Sequence, residues 1–160
     1  MAGARQYETD VAIIGAGGAG IAAGIAARDA GARAIALEQG AETGGAAITS
    51  GGGCLIVGSP LQRQQGIHDT PDLAFKDWME WGGASADAVW ARYYIEHTLH
   101  DLYHWAEGLG VKWADLKVQE GNSVLRWTRP ERNGLGLMTH SSKASVRRAA
   151  RSFPRRRSRH

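Results

Sequence analysis

Short apolar runs alternate along the chain with stretches of glycine, alanine or mixed polar residues. Asp10-Val-Ala-Ile-Ile14 is a β-branched run with polar residues before it and glycine after it, which predicts a fully buried strand. Gly20 to Ala30 is rich in Ala and Ile, carries Arg28 and Asp29 near its end and has Gly31 just past it, the pattern of a helix closed by a C-terminal glycine. Ala23, Gly24 and Ala27 give that helix a small-sided face able to approach a sheet closely. Ala34-Ile-Ala-Leu37 predicts a second buried strand, ending at Glu38. Strand, glycine turn, helix, strand and acid therefore follow one another within 29 residues.

Residues 40–58 are punctuated by glycine and predict little regular structure outside Ile48 and Cys54 to Val57. Thr70-Pro71-Asp72 is a helix start, with an N-cap threonine, proline at the first helical position and an acid behind it. That helix should run to Trp81 and stop at Gly82-Gly83. A longer one should begin near Ser85 and continue, with a mixed amphipathic stripe, to Gly108 or Gly110. A short strand is expected at Val111 to Trp113, and Asn133 to Met138 predicts a further helix.

Composition sharpens this picture in two ways. Glycine makes up 22 of the 160 residues, against roughly 7% in an average protein, and 12 of them fall between Gly15 and Gly53, so the excess belongs to one region. The net charge of +3 hides a division: residues 1–131 hold 10 basic and all 16 acidic groups, and residues 132–160 hold 9 basic groups and no acid. Ser141 to His160 reads as a basic tail that does not fold alone. Its arginines would adhere to phosphates non-specifically, but no finger, recognition helix or aromatic module accompanies them, so no specific nucleic-acid partner is expected. The apolar run Val11 to Ala27 is broken by glycines and is mostly alanine, so no membrane span is expected. A single cysteine, Cys54, excludes an intrachain disulfide framework. A reducing, cytoplasmic setting is the default.

The candidate chemistry starts at Gly15-Ala16-Gly17-Gly18-Ala19-Gly20. A Gly-x-Gly-x-x-Gly pattern alone is weak, but here it follows a strand, opens a helix and is followed by a strand whose terminal acid, Glu38, lies 18 residues past Gly20. Gly15 permits the tight turn, Gly17 removes a side chain where a pyrophosphate must approach backbone, and Gly20 lets helix and strand pack closely. The helix N-terminus offers unpaired N–H groups to the phosphates, and Glu38 accepts from ribose hydroxyls. NAD and FAD share this unit, so the motif implies a dinucleotide without choosing between them. The further clusters Thr43-Gly44-Gly45 and Ser50-Gly51-Gly52-Gly53 suit a cofactor laid along backbone towards a flat ring. A non-catalytic dinucleotide-binding module and an NAD-dependent oxidoreductase remain the alternatives on these residues.

Asp10 to Gly20, Glu38 with Gly44-Gly45, and Ser50 to Gly53 resemble the N-terminal part of FAD-dependent oxidoreductases of the fumarate reductase/succinate dehydrogenase flavoprotein and 3-ketosteroid dehydrogenase-like family. Asn122-Ser-Val-Leu-Arg-Trp-Thr-Arg-Pro130, followed by Gly134-Leu-Gly136, is similar to a later segment of that family, and Thr128 stands where many members have histidine. The likeness spans residues 8–140. It implies an α/β, Rossmann-like FAD-binding domain, incomplete and with added helices, from enzymes that transfer hydride between flavin N5 and an activated carbon–carbon bond. It implies that Gly15, Gly17, Gly18 and Gly20 contact the pyrophosphate and Glu38 the adenosine ribose. Gly44 and Gly45 would continue the cradle and Ser50, Gly51, Gly52 and Gly53 would lie near the isoalloxazine, with Ala16, Ala19, Gln39 and Ala46 completing the cofactor-binding segments. No histidine lies between Gly44 and Gly53, so FAD is expected to bind non-covalently.

The family's chains are much longer, and their capping domain, proton-donating arginine and last FAD segment lie beyond residue 160. The expectation is therefore a 1–140 FAD-binding segment with a disordered 141–160 tail, a truncated or frameshifted product inactive alone, whose small-molecule substrate is taken only by a full-length form. His97, His100 and His104 share one predicted helix, but no other element offers an evident further ligand, so no metal is expected. Trp78, Trp81 and Trp105 are expected to pack between helices and sheet, and Cys54 to be a small buried residue in a strand.

Overall fold

A computed structural model of the chain describes residues 6–143 and 148–150. The chain divides into two compact units, one of Met1–Ala47 with Ser141–His160 and one of Ile48–His140.

In the first unit, strand β1 (Val11–Ile14) leads through the glycine turn into helix α1 (Gly18–Asp29) and back to strand β2 (Ala34–Glu38). β1 and β2 pair in parallel, Val11 opposite Ala34 and Ile14 opposite Leu37. Helix α1 ends at Ala30, and Gly31 adopts φ +82° just past it, the left-handed closing conformation that glycine takes without a Cβ penalty. The helix buries Ile21, Gly24 and Ile25 rather than a face through Ala23, which is exposed. The strands are less buried than their apolar runs predict. Ile13 is buried, but Ile14 is 91% exposed, and Val11 and Leu37 are also open. A β-branched run reports strand propensity, whereas burial on both faces needs a layer on each side, and among the described residues α1 packs against β1 and β2.

Arg148–Ala150 form a third short strand, parallel to β2, with Ala36 opposite Arg148 and Glu38 opposite Ala150. These three residues lie in the segment that composition assigns to an unstructured tail. Residues 144–147 and 151–160, the rest of that tail past Lys143, lie outside the described residues.

The second unit is mostly helical, with a small antiparallel sheet. After the 3-10 turn Gly45–Thr49, which begins in the first unit, come strand β3 (Cys54–Leu55), helix α2 (Pro60–Gln64), helix α3 (Pro71–Gly82) and helix α4 (Ala88–His97). The chain continues without a break through a π-helical stretch, Thr98–His104, into α5 (Trp105–Gly108). Strands β4 (Trp113–Lys117) and β5 (Trp127–Pro130) follow, then α6 (Asn133–Lys143). The sheet order is β3-β5-β4, with Cys54 opposite Thr128 and Lys117 opposite Trp127.

The α3 boundary follows its local chemistry: Thr70 Oγ1 accepts from Leu73 N at 3.2 Å, and Gly83 at φ +53° ends the helix. The longer helix, expected to begin near Ser85, starts at Ala88 and is capped by Asp87, whose Oδ1 accepts from Trp90 N at 3.0 Å. Short α2 escapes periodicity because five residues make little more than one turn, yet Ser59 and Gln62 form a complete capping box. Helices α3 and α4 meet over Val57, Ala74 and Ile95, with Phe75 and Trp78 packed against them. Trp81, expected in that packing, lies in the last turn of α3 and is 65% exposed.

Candidate functional site: a glycine cradle

The turn between β1 and α1 brings together three stretches that the sequence keeps apart. Ala16 is the knot. Its N–H donates to Glu38 Oε2 at 2.8 Å, and its carbonyl accepts from Gly44 N at 2.7 Å. Gly17 and Gly44 then form a parallel bridge, and a Cβ at Gly45 would lie 3.3 Å from Gly17 Cα. The Gly15–Gly20 turn, the acid ending β2 and the Gly44-Gly45 pair thus form one backbone-built cradle.

Its glycines have different physical reasons. A Cβ at Gly20 would sit 1.9 Å from the carbonyl oxygen of Gly15, so the helix can leave the turn at this angle only without a side chain there. Gly15 itself turns at φ +90°. At Gly17 and Gly18, by contrast, a Cβ would meet nothing within 4 Å. Gly17 is the N-cap of α1 with no side-chain cap, and no acid lies in the first turn, so the helix N-terminus faces that open space with donors not taken up by a capping side chain. A group bearing phosphates fits here: the space is present, the dipole sign is right and the backbone is bare.

Glu38 stands at the edge of this cradle. Besides Ala16, its Oε1 accepts from Gly40 N at 2.7 Å. Two backbone donors, Ala16 N and Gly40 N, hold the carboxylate in place at the end of β2. Ala19 and Gln39 are exposed beside these elements, and Ala46 lies in the following 3-10 turn.

Ser50, Gly51, Gly52 and Gly53 belong to the second unit, where the need for glycine is a packing need. Gly52 turns at φ +67°, and a Cβ there would lie 2.5 Å from Gly134 N. Ser50 Oγ accepts from Gly52 N at 3.1 Å, and the Ser50 carbonyl accepts from Gly134 N at the same distance. A Cβ on Gly53 would strike the indole of Trp127 at 1.9 Å, while Gly51 is exposed with open space around it. The partner across this loop is a turn in which Arg132 and Asn133 both take positive φ, 63° and 56°, a conformation uncommon for residues with side chains. Asn133-Gly134 is a sequence signal for such a turn.

Sequence reading missed a buried ionic cluster in the second unit. Arg126 is fully buried and forks onto Asp69 through Nε at 3.0 Å and Nη2 at 2.8 Å, while its Nη1 reaches Asp77 at 2.6 Å and Asn122 at 2.8 Å. Gln62 Nε2 donates to Asp69 and to the Leu125 carbonyl, which ties α2 into the cluster. Burial pushes the Asp77 carboxyl up, but donors from Ser123 N and Oγ and the Arg126 guanidinium outweigh it and hold the group below its ordinary value. Arg126 is one of two arginines, with Arg129, in the Asn122-to-Pro130 segment, and nothing in its spacing names its two acidic partners. Thr128, two residues on, is also fully buried, and its hydroxyl donates to the Arg126 carbonyl.

The helical histidines do not converge. His97 Nδ1 lies 2.6 Å from the Tyr93 carbonyl, His100 pairs with Asp101 and His104 with Glu107. The π-helical stretch Thr98–His104, which holds His100 and His104, has a wider turn than the 3.6-residue period that aligned them with His97. No cluster of three metal-ligating side chains occurs among the described residues. Burial pushes the Cys54 thiol up to about 11, leaving it a thiol rather than a nucleophilic thiolate at neutral pH. No helix among the described residues is long and apolar enough to cross a membrane.

Comparison with known proteins agrees with this geometry. The cytochrome-type fumarate reductase of Shewanella frigidimarina is 33% identical over 140 residues, covering 88% of this chain and 24% of that protein. A KsdD-like steroid dehydrogenase of Mycobacterium tuberculosis is 34% identical over 143 residues, covering 78% and 25% respectively. Among solved structures, the open conformation of a flavocytochrome c3 fumarate reductase superposes with a TM-score of 0.81 at 30% identity, over 88% of this chain and 26% of that one. The 3-ketosteroid-delta4-(5alpha)-dehydrogenase of Rhodococcus jostii RHA1 follows at 0.72 and 25% identity, over 89% of this chain and 37% of that one. The chain spans about a quarter of the length of the curated relatives it matches. A family described as the FAD binding domain matches residues 10–157, and the chain belongs to that family.

Proposed function

We propose that this chain binds FAD non-covalently as the N-terminal cofactor-binding part of a flavin-dependent oxidoreductase that transfers hydride at an activated carbon–carbon bond, and that these residues are inactive by themselves. The observation that carries the reading is the strap through Ala16, which holds Gly17, Glu38 and Gly44 together around open space at an uncapped helix N-terminus.

Gly17 and Gly18 would present N–H groups and the positive end of α1 to the pyrophosphate, with Gly15, Ala16, Ala19 and Gly20 shaping the turn. Glu38, with Gln39 next to it, would receive the adenosine ribose hydroxyls and repel a 2′-phosphate. Gly44, Gly45 and Ala46 would extend the bare backbone along the cofactor, and Ser50 to Gly53 would border its ring system. FAD, once bound, supplies a two-electron hydride acceptor and donor that no side chain offers. The chain's own contribution is binding and orientation. Substrate contact is assigned to the full-length form of the fold, because the matched relatives are about four times this length. A cytoplasmic setting and the lack of a specific nucleic-acid partner belong to the same proposal.

The test is the visible spectrum of the purified protein after desalting. Flavin absorption should remain, should pass into the supernatant on acid precipitation, and should be lost in Glu38→Arg and Gly17→Val. A folded protein that takes up nicotinamide dinucleotide and no flavin would overturn the choice of cofactor. Flavin that stays with the precipitate would overturn non-covalent binding.

A further inference from the structure

The second unit holds a cavity of about 270 Å³ that the cofactor reading does not use. Its walls are aromatic, formed by Trp78, Trp81, Tyr94 and Trp127 with Leu55. Trp78 and Tyr94 meet at 5.6 Å between ring centroids with a 54° tilt. Trp81 lies over Gly121, where a Cβ would come within 2.5 Å of its Cγ. One side of the Trp81 indole is thus backed by bare backbone, while the residue as a whole stays 65% exposed.

The polar part of the lining has one sign. Among the described residues, Asp77 and Glu120 line the cavity and no basic side chain does. Asp77 is nine-tenths buried, with a side chain 8% exposed. Its hydrogen bonds, from Ser123 N, Ser123 Oγ and Arg126 Nη1, all go to Oδ2; its Oδ1 accepts none among the described residues. The Arg126 guanidinium is shared between two aspartates, so the Asp69–Arg126–Asp77 group has one more acid than base. Glu120 makes no ion pair among the described residues. A buried carboxylate oxygen without a donor is costly, and a cavity that joins it to aromatic faces favours a cation with N–H groups and an apolar body.

We propose that this cavity is a binding site for a small protonated amine carrying a ring-sized apolar group, its ammonium donating to Asp77 and drawn by Glu120, its body held among Trp78, Trp81 and Tyr94. A neutral analogue of the same shape lacks the donor charge, and an anionic one is repelled. The site is independent of FAD and does not rest on the cofactor assignment.

The experiment is a titration of the full chain, flavin-loaded if it retains flavin, followed by tryptophan fluorescence. Phenethylamine is the probe, with phenethyl alcohol and phenylacetate as the neutral and anionic controls. Saturable quenching by the amine at least about tenfold tighter than by the alcohol is expected, with none by phenylacetate. Trp81→Ala should weaken the amine by roughly tenfold and Glu120→Gln by about threefold, the alcohol being unaffected by the latter. Both positions are exposed, so these variants keep the fold even where Asp77→Asn does not. Equal affinity for amine and alcohol, or no saturation by about 10 mM amine, would overturn the proposal. So would an unchanged amine affinity in Trp81→Ala.

Discussion

The two units are ordered by opposite means. In the first, the decisive atoms are those that are missing: Gly20 clears the Gly15 carbonyl, Gly17 opens onto empty space, and the segments are tied by main-chain groups through Ala16. In the second, the decisive atoms are side chains, with Arg126 buried between Asp69 and Asp77 and an aromatic and aliphatic seam between α3 and α4. A surface built from bare backbone fits a ligand rich in phosphate and hydroxyl. A frame built from side chains resists deformation but depends on every partner being present.

That contrast is broken most severely by Arg126→Ala. Removing the guanidinium leaves two carboxyl groups buried without their cation, a loss of about 3–5 kcal/mol. Urea denaturation should show the midpoint collapsing, and a loss under about 1 kcal/mol would mean that the cluster is not the frame of this unit.

Next in size is a pair of substitutions inside the cradle. Gly20→Ala should lower both stability and flavin retention, because its Cβ cannot coexist with the Gly15 carbonyl. Gly17→Val should leave the melting temperature of the flavin-free protein within the range of a weak cap change, about 1 kcal/mol, while flavin affinity falls by roughly 100-fold. If both variants lost stability equally, the distinction between packing and ligand-facing glycines would fail.

Acid sharpens the comparison further. The folded Asp77 carboxyl lies below its ordinary value. Its contribution to stability is therefore present above the unfolded value, near pH 4, and is lost as pH falls through the lower folded value. Circular dichroism during acid titration should show the helical unit losing stability below about pH 4, and Asp77→Asn should flatten that dependence. The smallest effect is expected at Cys54. With its thiol raised to about 11, alkylation at pH near 8 should be slow in the folded protein and fast in urea. Cys54→Ala should leave the flavin spectrum unchanged.

Much of the cradle was legible in the chain because its signals are local. The strand before Gly15, the helix after it and the acid at Glu38 lie within one βαβ unit, where each residue's job is set by neighbours within a turn or two. Helix α3 was readable for the same reason, its threonine cap, proline and closing glycines being adjacent. The longer helix was placed correctly in extent, but its π-helical stretch was not, because apolar periodicity assumes the ordinary turn.

The sequence by itself determined which residues must be glycine around the first turn, where the main helices start and stop, and that one acid closes the second strand. Tertiary structure alone decided that Gly52 and Gly53 yield to Gly134 and Trp127, that β1 keeps Ile14 exposed, and that Arg126 finds Asp69 and Asp77. The division follows range. Propensity, capping and turn geometry act over a few residues and are written consecutively, whereas close approach and charge pairing join positions 49 to 82 residues apart, whose meeting exists only once the chain has folded.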